Sequence, residues 1–214
     1  IVFRGGNGQA GQLAATHSQS FESFYAHVPG LKVVTPSTPY DAKGLLKSAI
    51  RDDDPVLIME SEKMYGDKGE IPEGEYLIPI GKADVKRKGD HVTLVSFGKV
   101  IKVVHEAAEV LQKEGISCEI IDLRSVRPID YDTVVESVKK TNRCVVIEES
   151  WPLASISGEI AYHLQRYTFD YLDSPVIRVM QSDTPFAFSK ALIEEALPNV
   201  SRIVNAVKSS LYVS

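Results

Sequence analysis

The stretch VTLVSFGKVIKVVHEAAEVLQKEGISCEIIDL, residues 92–123, decides the fold. Its two ends, residues 92–97 and 118–123, are short and apolar on both faces, as is typical of strands buried in a parallel sheet. The segment between them, residues 100–114, predicts a helix that ends at Gly115. Its apolar residues recur at helical spacing on one face: Val103, Val104, Ala107, Ala108 and Leu111. Strand, helix and strand of this length predict a parallel α/β sheet with right-handed crossovers.

The same alternation continues on both sides of this stretch. Further strands are predicted at residues 1–3, 31–34, 56–59, 144–147 and 175–179. Further helices are predicted at residues 21–28, 40–51, 131–140, 157–167, 189–197 and 200–211. Residues 67–81 are rich in Gly, Pro and charge and have no sustained period, which is typical of a linker. We therefore predict an α/β chain with two parallel-sheet domains, residues 1–66 and 86–214, joined by a linker over residues 67–85.

Composition argues against several classes of function. The formal net charge is −5 over 214 residues, so the sequence has no excess of positive charge that would favour binding to nucleic acid. No stretch approaches the roughly 20 apolar residues that a membrane span requires. Cys118 and Cys144 lie in apolar runs without metal-ligand spacing, which predicts a reducing compartment. We expect neither nucleic acid nor a membrane as a partner, and we expect no secretion signal.

A glycine-bearing loop follows the first predicted strand, in GQAGQLAATHSQSFESFY, residues 8–25. Ligands of open α/β sheets bind in the crevice outside the carboxyl ends of the strands, where this loop lies. Small polar residues surround His17, whose imidazole can exchange a proton near neutral pH. One interpretation of His17 is a catalytic residue, and the other is a surface or helix-capping residue.

The glycines of this loop also fit the spacing of a dinucleotide-binding motif. Gly6, Gly8 and Gly11 follow the pattern GxGxxG after a predicted strand. The strand is short, however, and no acidic residue follows a second strand at the expected distance. We therefore disfavour a nicotinamide cofactor.

Three carboxylates follow one another at the end of the predicted helix over residues 40–51. Asp52, Asp53 and Asp54 repel one another and attract a cation. One interpretation is a solvated helix end. The other is a site for a hard cation, because the unpaired carbonyl groups of a helix C-terminus and a carboxylate offer oxygen ligands.

Two charged segments follow predicted strands of the second domain, DLRSVRPID at residues 122–130 and EESWP at residues 148–152. Paired carboxylates such as Glu148 and Glu149 can perform acid–base chemistry when their environments separate their pKa values. Neighbours on a strand point to opposite faces, so we reject that interpretation here. We expect both segments to form turns and ion pairs between subunits.

Several segments resemble one protein family. IVFRG at residues 1–5, THSQ at 16–19, PGLKVVTP at 29–36 and DAKGLLKSAIRD at 41–52 resemble the beta subunits of the 2-oxo acid dehydrogenases. These are thiamine-diphosphate enzymes of the transketolase superfamily, and the resemblance covers the whole chain. It implies a partial pyrimidine-binding domain over residues 1–66 and a transketolase C-terminal domain over residues 86–214. We expect the sequence to lack the first part of the former, with its thiamine-binding glutamate, and to be inactive by itself.

The resemblance also implies roles for residues around the loop. His17 is expected to lie over the thiamine diphosphate and to transfer a proton during acyl transfer. Ser18 and Gln19 are expected to position its imidazole. The aromatic residues expected to pack under it, with core packing as the alternative, are Phe21, Phe24 and Tyr25.

Three bound groups are implied by the same resemblance. Thiamine diphosphate is expected to be shared with an alpha subunit, which is also expected to hold the magnesium ion. A structural potassium ion is expected at the positions Ile1, Ala49, Ile50, Asp52 and Asp54. The family often has Asn at the position of Asp54, and the extra negative charge leaves the identity of the ion open.

As a function, the resemblance implies an α₂β₂ heterotetramer that oxidatively decarboxylates a 2-oxo acid and acylates a lipoyl group of a dihydrolipoyl acyltransferase. The ending Met64-Tyr65-Gly66 favours pyruvate, and residues 170–173 are a candidate docking surface for the acyltransferase. The alternatives are a branched-chain 2-oxo acid as substrate, or a non-catalytic assembly module. Transketolase and deoxyxylulose-phosphate synthase are further alternatives in the wider superfamily. They would carry the magnesium module on the same chain, and nothing in this sequence indicates one. The expected location is the cytoplasm in a bacterium, and the mitochondrial matrix or a plastid in a eukaryote.

Overall fold

Strands and helices alternate along residues 1–213, the part of the chain that the computed structural model describes. The strands are β1 (Val2–Gly6), β2 (Lys32–Val34), β3 (Val56–Glu60), β4 (Asp84–Arg87), β5 (Val92–Ser96), β6 (Cys118–Asp122), β7 (Ser125–Arg127), β8 (Cys144–Glu148) and β9 (Ile177–Met180). The helices are α1 (Glu22–Ala26), α2 (Pro39–Ile50), α3 (Val100–Lys113), α4 (Tyr131–Thr141), α5 (Ile156–Tyr167), α6 (Lys190–Ala196) and α7 (Val200–Leu211). The predicted α/β class is confirmed.

The second sheet has the strand order β4-β6-β5-β8-β9, and all of these strands except β4 run parallel. Every residue of β5, β6 and β8 is buried, because helices cover both faces. α3 and α7 pack on one face, where Leu111 and Ile203 join the core. α4 and α5 pack on the other, with Val138 and Leu164. This double cover explains why the strands are apolar at successive positions. Within residues 1–213, no helix combines the length and the apolar character that crossing a membrane would require.

Strand β4 was not expected from the sequence. It pairs antiparallel with β6 at the edge of the second sheet, so the sheet is mixed rather than purely parallel. An edge strand with one neighbour can be charged and half-exposed, and Asp84–Arg87 carries three charged residues around Val85. The segment therefore has no apolar run that would signal a strand, and the start of β4 coincides with the end of the predicted linker over residues 67–85.

The first sheet has the strand order β1-β3-β2-β7 and is also mixed. β1, β3 and β2 run parallel, with Val2 and Lys32 both opposite Val56. β7 comes from the second half of the chain and pairs antiparallel with β2. The segment over residues 122–130 thus supplies a strand to the first sheet, and the two halves of the chain share backbone hydrogen bonds.

The helix predicted over residues 21–28 is reduced to the short α1, and a separate 3-10 turn, Ala15–His17, precedes it. Local polar contacts compete with the helix at its start, since the amide of Phe21 donates to Asn7 Oδ1 at 2.8 Å. α1 ends at Ala26, three residues before the predicted stop at Pro29-Gly30, and Gly30 has a φ of 83° that suits glycine.

Buried charges join α2 to the second sheet. Arg124 Nε donates to Asp41 Oδ1 at 2.7 Å, and Arg124 Nη2 donates to Asp84 Oδ2 at 2.9 Å. Asp41 lies on α2 with no exposed surface. Arg124, one of the residues expected to form ion pairs between subunits, thus has partners within the same chain.

Two more side chains extend this network. The Ser37 hydroxyl contacts Asp41 Oδ2 at 3.0 Å and also donates to Asp122 at the end of β6. Lys86 Nζ on β4 lies 2.8 Å from Asp84 Oδ2 and 3.2 Å from Asp41 Oδ2. The network therefore contacts β4, β6 and α2 at once.

The two buried carboxyl groups of the network differ in their pKa. Burial raises the pKa of Asp122 to about 6. Burial also acts to raise the pKa of Asp41, but the Thr38 hydroxyl and the charges of Lys86 and Arg124 outweigh it and hold this pKa below its ordinary value. Asp41 is therefore the permanent negative charge around which the cations gather.

We expect Asp41→Asn to lower the free energy of unfolding by about 3 kcal/mol, because it leaves buried cations without their main counter-charge. Urea unfolding near neutral pH measures the change. The matched control is Glu75→Gln, which breaks an exposed ion pair with Arg51 and should cost less than about 1 kcal/mol. Equal losses in the two variants would contradict a structural role of the network.

Candidate functional site

The loop that leaves β1 crosses from the carboxyl edge of the first sheet to that of the second. The amide of Gln9 donates to Glu149 Oε1 at 2.6 Å, just beyond β8. The Lys99 ammonium donates to the carbonyl of Gln9 and lies 2.9 Å from Glu149 Oε2. Gly8 has a φ of 75°, and a Cβ there would lie 2.7 Å from Glu149 Oε1. The close contact between the loop and the second sheet therefore requires glycine at this position.

His17 ends the 3-10 turn and is exposed in a cleft at the carboxyl ends of β1 and β3. Its Nδ1 lies 2.9 Å from Thr16 Oγ1. The turn follows Ala14, whose φ of 56° is in the left-handed region that costs a non-glycine residue on the order of 1 kcal/mol. The cleft has a volume of about 230 Å³ and is lined by Gly6, Asn7, Gly8, Leu13, Thr16, His17, Gln19, Phe21 and Glu62.

The residues predicted to surround His17 fall into two groups. Gln19 and Phe21 line the cleft, and Gln19 Nε2 donates to the carbonyl of Ala15 at 3.2 Å, which braces the turn. Ser18 is buried, and its hydroxyl has no hydrogen-bond partner among the described residues. Tyr25 does not line the cleft.

The aromatic residues Phe21, Phe24 and Tyr25 pack edge to face on one another, with ring centroids 5.3–6.3 Å apart. All three rings are exposed, Phe24 by 68%. The alternative of core packing is therefore wrong for the described chain. The cluster forms an apolar surface beside the cleft.

The corner proposed for a cation brings distant segments together. The amide of Val56 donates to the Ile1 carbonyl at 3.0 Å, and the amide of Asp52 donates to the Ala49 carbonyl at 3.3 Å. Lys32 Nζ lies 2.7 Å from Asp52 Oδ2 and 3.1 Å from Asp54 Oδ2.

The single charge of Lys32 offsets one of these two carboxylates, and its hydrogen bond lowers the pKa of Asp52. Ile1, Ala49 and Ile50 could offer only backbone carbonyl groups to a further cation. Ile50, the remaining predicted ligand, has an exposed side chain. Within residues 1–213, no group of three or more His, Cys, Asp or Glu side chains is arranged to hold a metal ion.

Family comparisons agree with this architecture. Residues 1–68 match the model of the transketolase pyrimidine-binding domain, and residues 81–203 match that of the transketolase C-terminal domain. The chain belongs to the transketolase family. The His17 cleft lies within the part that matches the pyrimidine-binding domain of this family.

Relatives of this transketolase-family chain carry a common name. This chain is 49% identical to the "Pyruvate dehydrogenase E1 component subunit beta" of Rhizobium meliloti over 99% of its own length. It is 48% identical to the protein of that name from Rickettsia felis over 100% of its length, and 46% identical to the mitochondrial one from Bos taurus over 100%. It spans 46%, 66% and 61% of these three relatives. A solved structure named "Split gene transketolase, inactive beta4 tetramer" superimposes with a TM-score of 0.82 at 25% identity, over 100% of this chain and 67% of the other.

Two acidic residues near the cleft of this transketolase-family chain were missed by the sequence analysis. Glu62 folds over Gly6, where a Cβ would lie 2.8 Å from Glu62 Oε1, and it lines the cleft with His17. It follows β3, so the rule that strand ends share one edge could have indicated it. Glu22 starts α1 but is buried, and Asn7 Nδ2 donates to its Oε1 at 2.7 Å. No sequence signal separates it from an ordinary acidic residue in a first helical turn.

The rejection of Glu148 and Glu149 as an acid–base pair agrees with their contacts. Glu148 Oε2 accepts from the amide of Ser157 at 2.7 Å at the start of α5, whereas Glu149 contacts Gln9 and Lys99. The partners of both carboxylates belong to the same chain.

Burial shifts the pKa values of the ionisable groups around the contact of Gln9 with the second sheet. It raises the pKa of Glu148 to about 7 and that of Glu22 to about 8. It lowers the pKa of Lys99, although the charge of Glu149 opposes this shift. Charges in this region are therefore costly to maintain.

We expect Glu22→Gln to make stability less sensitive to pH. The folded pKa of about 8 lies above the ordinary value of 4.5, so folding takes up a proton between these values. The contribution of Glu22 to stability therefore falls as the pH rises, by up to about 1.4 kcal/mol per unit. Urea unfolding from about pH 5 to about pH 8 should show the variant gaining steadily on the unaltered protein. Glu106→Gln, on the exposed face of α3, is the control, and a parallel course for both variants would refute the assignment.

Proposed function

We propose that this chain acts as a beta subunit of pyruvate dehydrogenase E1, in the oxidative decarboxylation of pyruvate and the transfer of the acetyl group to a lipoyl group. The observation that carries the proposal is the His17 cleft at the carboxyl ends of β1 and β3. The chain that forms this cleft is 48–49% identical in sequence to bacterial relatives of that name. Ligands of parallel sheets bind at this edge.

The lining of the cleft fits an aromatic ring of thiamine diphosphate better than it fits the diphosphate. Phe21 and Leu13 offer an apolar wall for an aromatic ring, while Gln19, whose Nε2 is engaged by Ala15, offers its amide oxygen as a hydrogen-bond acceptor. The lining includes no Lys or Arg, so it offers no counter-charge for a diphosphate and its magnesium ion. This division supports a cofactor shared with an alpha subunit that holds the diphosphate. Thiamine diphosphate, when bound, supplies the electron sink for decarboxylation.

In this proposal His17 moves a proton at Nε2. Its Nδ1 is engaged by Thr16 Oγ1, which leaves Nε2 as the ring nitrogen available to a ligand. The imidazole donates or accepts a proton during acyl transfer, and the Gln19 contact with Ala15 keeps the turn in place. Phe21 shields one side of the cleft from water.

The proposed partners are the alpha subunit, in an α₂β₂ heterotetramer, and a lipoyl-bearing dihydrolipoyl acyltransferase. The exposed rings of Phe21, Phe24 and Tyr25 support an interface with another chain beside the cleft. Asp170 and Tyr171 lie in an exposed 3-10 turn and remain candidates for acyltransferase docking. The mitochondrial names of the eukaryotic relatives support a matrix location for a eukaryotic source, and the cytoplasm is proposed for a bacterial one.

The catalytic role of His17 is tested in the whole natural beta subunit, assembled with its alpha partner, thiamine diphosphate and magnesium. We expect His17→Ala to reduce lipoyl acetylation by at least about 100-fold while the heterotetramer still forms, because a positioned acid–base group contributes roughly 10²–10⁴ in rate. His91→Ala, at the amino-terminal edge of the second sheet, is the control and should keep its activity. Unchanged turnover of His17→Ala would exclude the assignment.

The same assay separates the two alternatives. Pyruvate and 3-methyl-2-oxobutanoate are compared as substrates, with an artificial electron acceptor as the readout. Preference for the branched acid would make the protein a branched-chain 2-oxo acid dehydrogenase subunit with the same cleft. Assembly with no turnover of either acid would favour a non-catalytic assembly module.

We also propose a potassium ion held by backbone carbonyl groups at the corner of Ile1, Ala49, Ile50, Asp52 and Asp54. A ligand that binds only the folded state raises its stability. We therefore expect a higher melting temperature in potassium chloride than in choline chloride at equal ionic strength. Equal melting temperatures of the unaltered protein in both salts would refute the site.

A further inference from the structure

A small polar cavity lies between the His17 loop and the carboxyl ends of both sheets. Its volume is about 20 Å³, which suits a single water molecule. Its polar lining comes from segments far apart in the sequence: Asn7, Ser20 and Glu22, Thr35 after β2, Glu60 and Ser61 at the end of β3, Lys99 and Glu149. The cavity is distinct from the cleft of His17, which contains neither these hydroxyl groups nor Lys99.

Four oxygen atoms of the residues that line the cavity lack a partner. Ser20 Oγ, Glu22 Oε2, Thr35 Oγ1 and Ser61 Oγ are all buried without a hydrogen bond among the described residues. Native proteins rarely leave such groups unpaired, and each one carries a desolvation penalty. Because four such atoms surround one cavity, we expect the cavity to hold a molecule that forms hydrogen bonds with them.

The charges of the lining select the occupant. Lys99 and Glu149 line the cavity as an ion pair with 2.9 Å between Nζ and Oε2, and Glu60, which also lines it, is paired with Arg4. These charges therefore already have partners and do not require an ion in the cavity, whereas the carboxyl group of Glu22 would repel an anion if ionised. A water molecule offers two donors and two acceptors, and hydroxyl groups can serve in either role, so one water can form up to four hydrogen bonds with such oxygens.

We propose that this cavity is a binding site for one structural water molecule that bridges Glu22 to the hydroxyl groups of Ser20, Thr35 and Ser61. The bridge ties the segment after His17 to the ends of β2 and β3. The Gly8–Gln19 hydrogen bond of 2.8 Å and the Gln9 contacts tie the start of the same loop to the second sheet. The water thereby holds the loop between the two sheets, whichever reaction the cleft performs.

The first experiment is a crystal structure of the protein, with a parallel crystal soaked in a thallium(I) salt. We expect one solvent peak within hydrogen-bond distance of at least three of the four oxygens and no anomalous signal at that place. An anomalous peak there would replace the water by a monovalent cation and overturn the proposal. An empty cavity would overturn it as well.

The second experiment uses Thr35→Val, which keeps the shape of the side chain and removes its hydroxyl group. If a water is bound, the variant deprives it of a partner, and the melting temperature should fall by about 2–4 °C. If the cavity is dry, the change removes an unpaired buried oxygen, and the melting temperature should stay or rise. Thr184→Val, at an exposed position, is the matched control and should leave it unchanged.

A third readout tests the link to the loop. Amide hydrogen exchange at Phe21, whose N–H donates to Asn7 Oδ1, should accelerate in Thr35→Val and not in the control. Unchanged exchange together with a lower melting temperature would refute the bridge to the loop and leave only a local packing effect.

Discussion

The buried ion pair between Asp41 and Arg124 is the constraint on which the relation of the two halves depends. Two buried charges are stable only when they are close and hydrogen-bonded, so α2 and the end of β6 must meet in one geometry. β7 follows directly after Arg124 and enters the first sheet beside β2. The same short segment thus supplies both the charge that joins the halves and the strand that completes the first sheet.

The candidate site follows from this arrangement. With the halves joined, the carboxyl edges of both sheets face the loop that leaves β1, and the loop contacts Glu149 on one side and the ends of β1 and β3 on the other. Because strand ends expose unpaired backbone and position side chains rigidly, this is where a parallel sheet offers a ligand site. His17 has its place in the cleft because both ends of its loop are anchored.

Electrostatic cost is concentrated at the contacts between the halves. Asp122, Glu148 and Glu22 are buried carboxyl groups whose pKa values burial raises, and Lys99 is an ammonium group whose pKa burial lowers. Amide groups at the start of α5, the Ser37 hydroxyl and Asn7 offset part of this cost. Most of the remaining core of the described residues is aliphatic and gains its stability from burial alone.

The sequence by itself determined the alternation of elements, because apolar runs and helical periodicity are local. Most predicted bounds of helices and strands lie within a few residues of those observed, and the resemblance around THSQ led to His17. Only the tertiary structure revealed β4, the pairing of β7 with the first sheet, and the intrachain partners of Arg124 and Glu149. These features depend on segments far apart in the sequence, as does the burial of Glu22, and no local pattern of residue types encodes such a meeting.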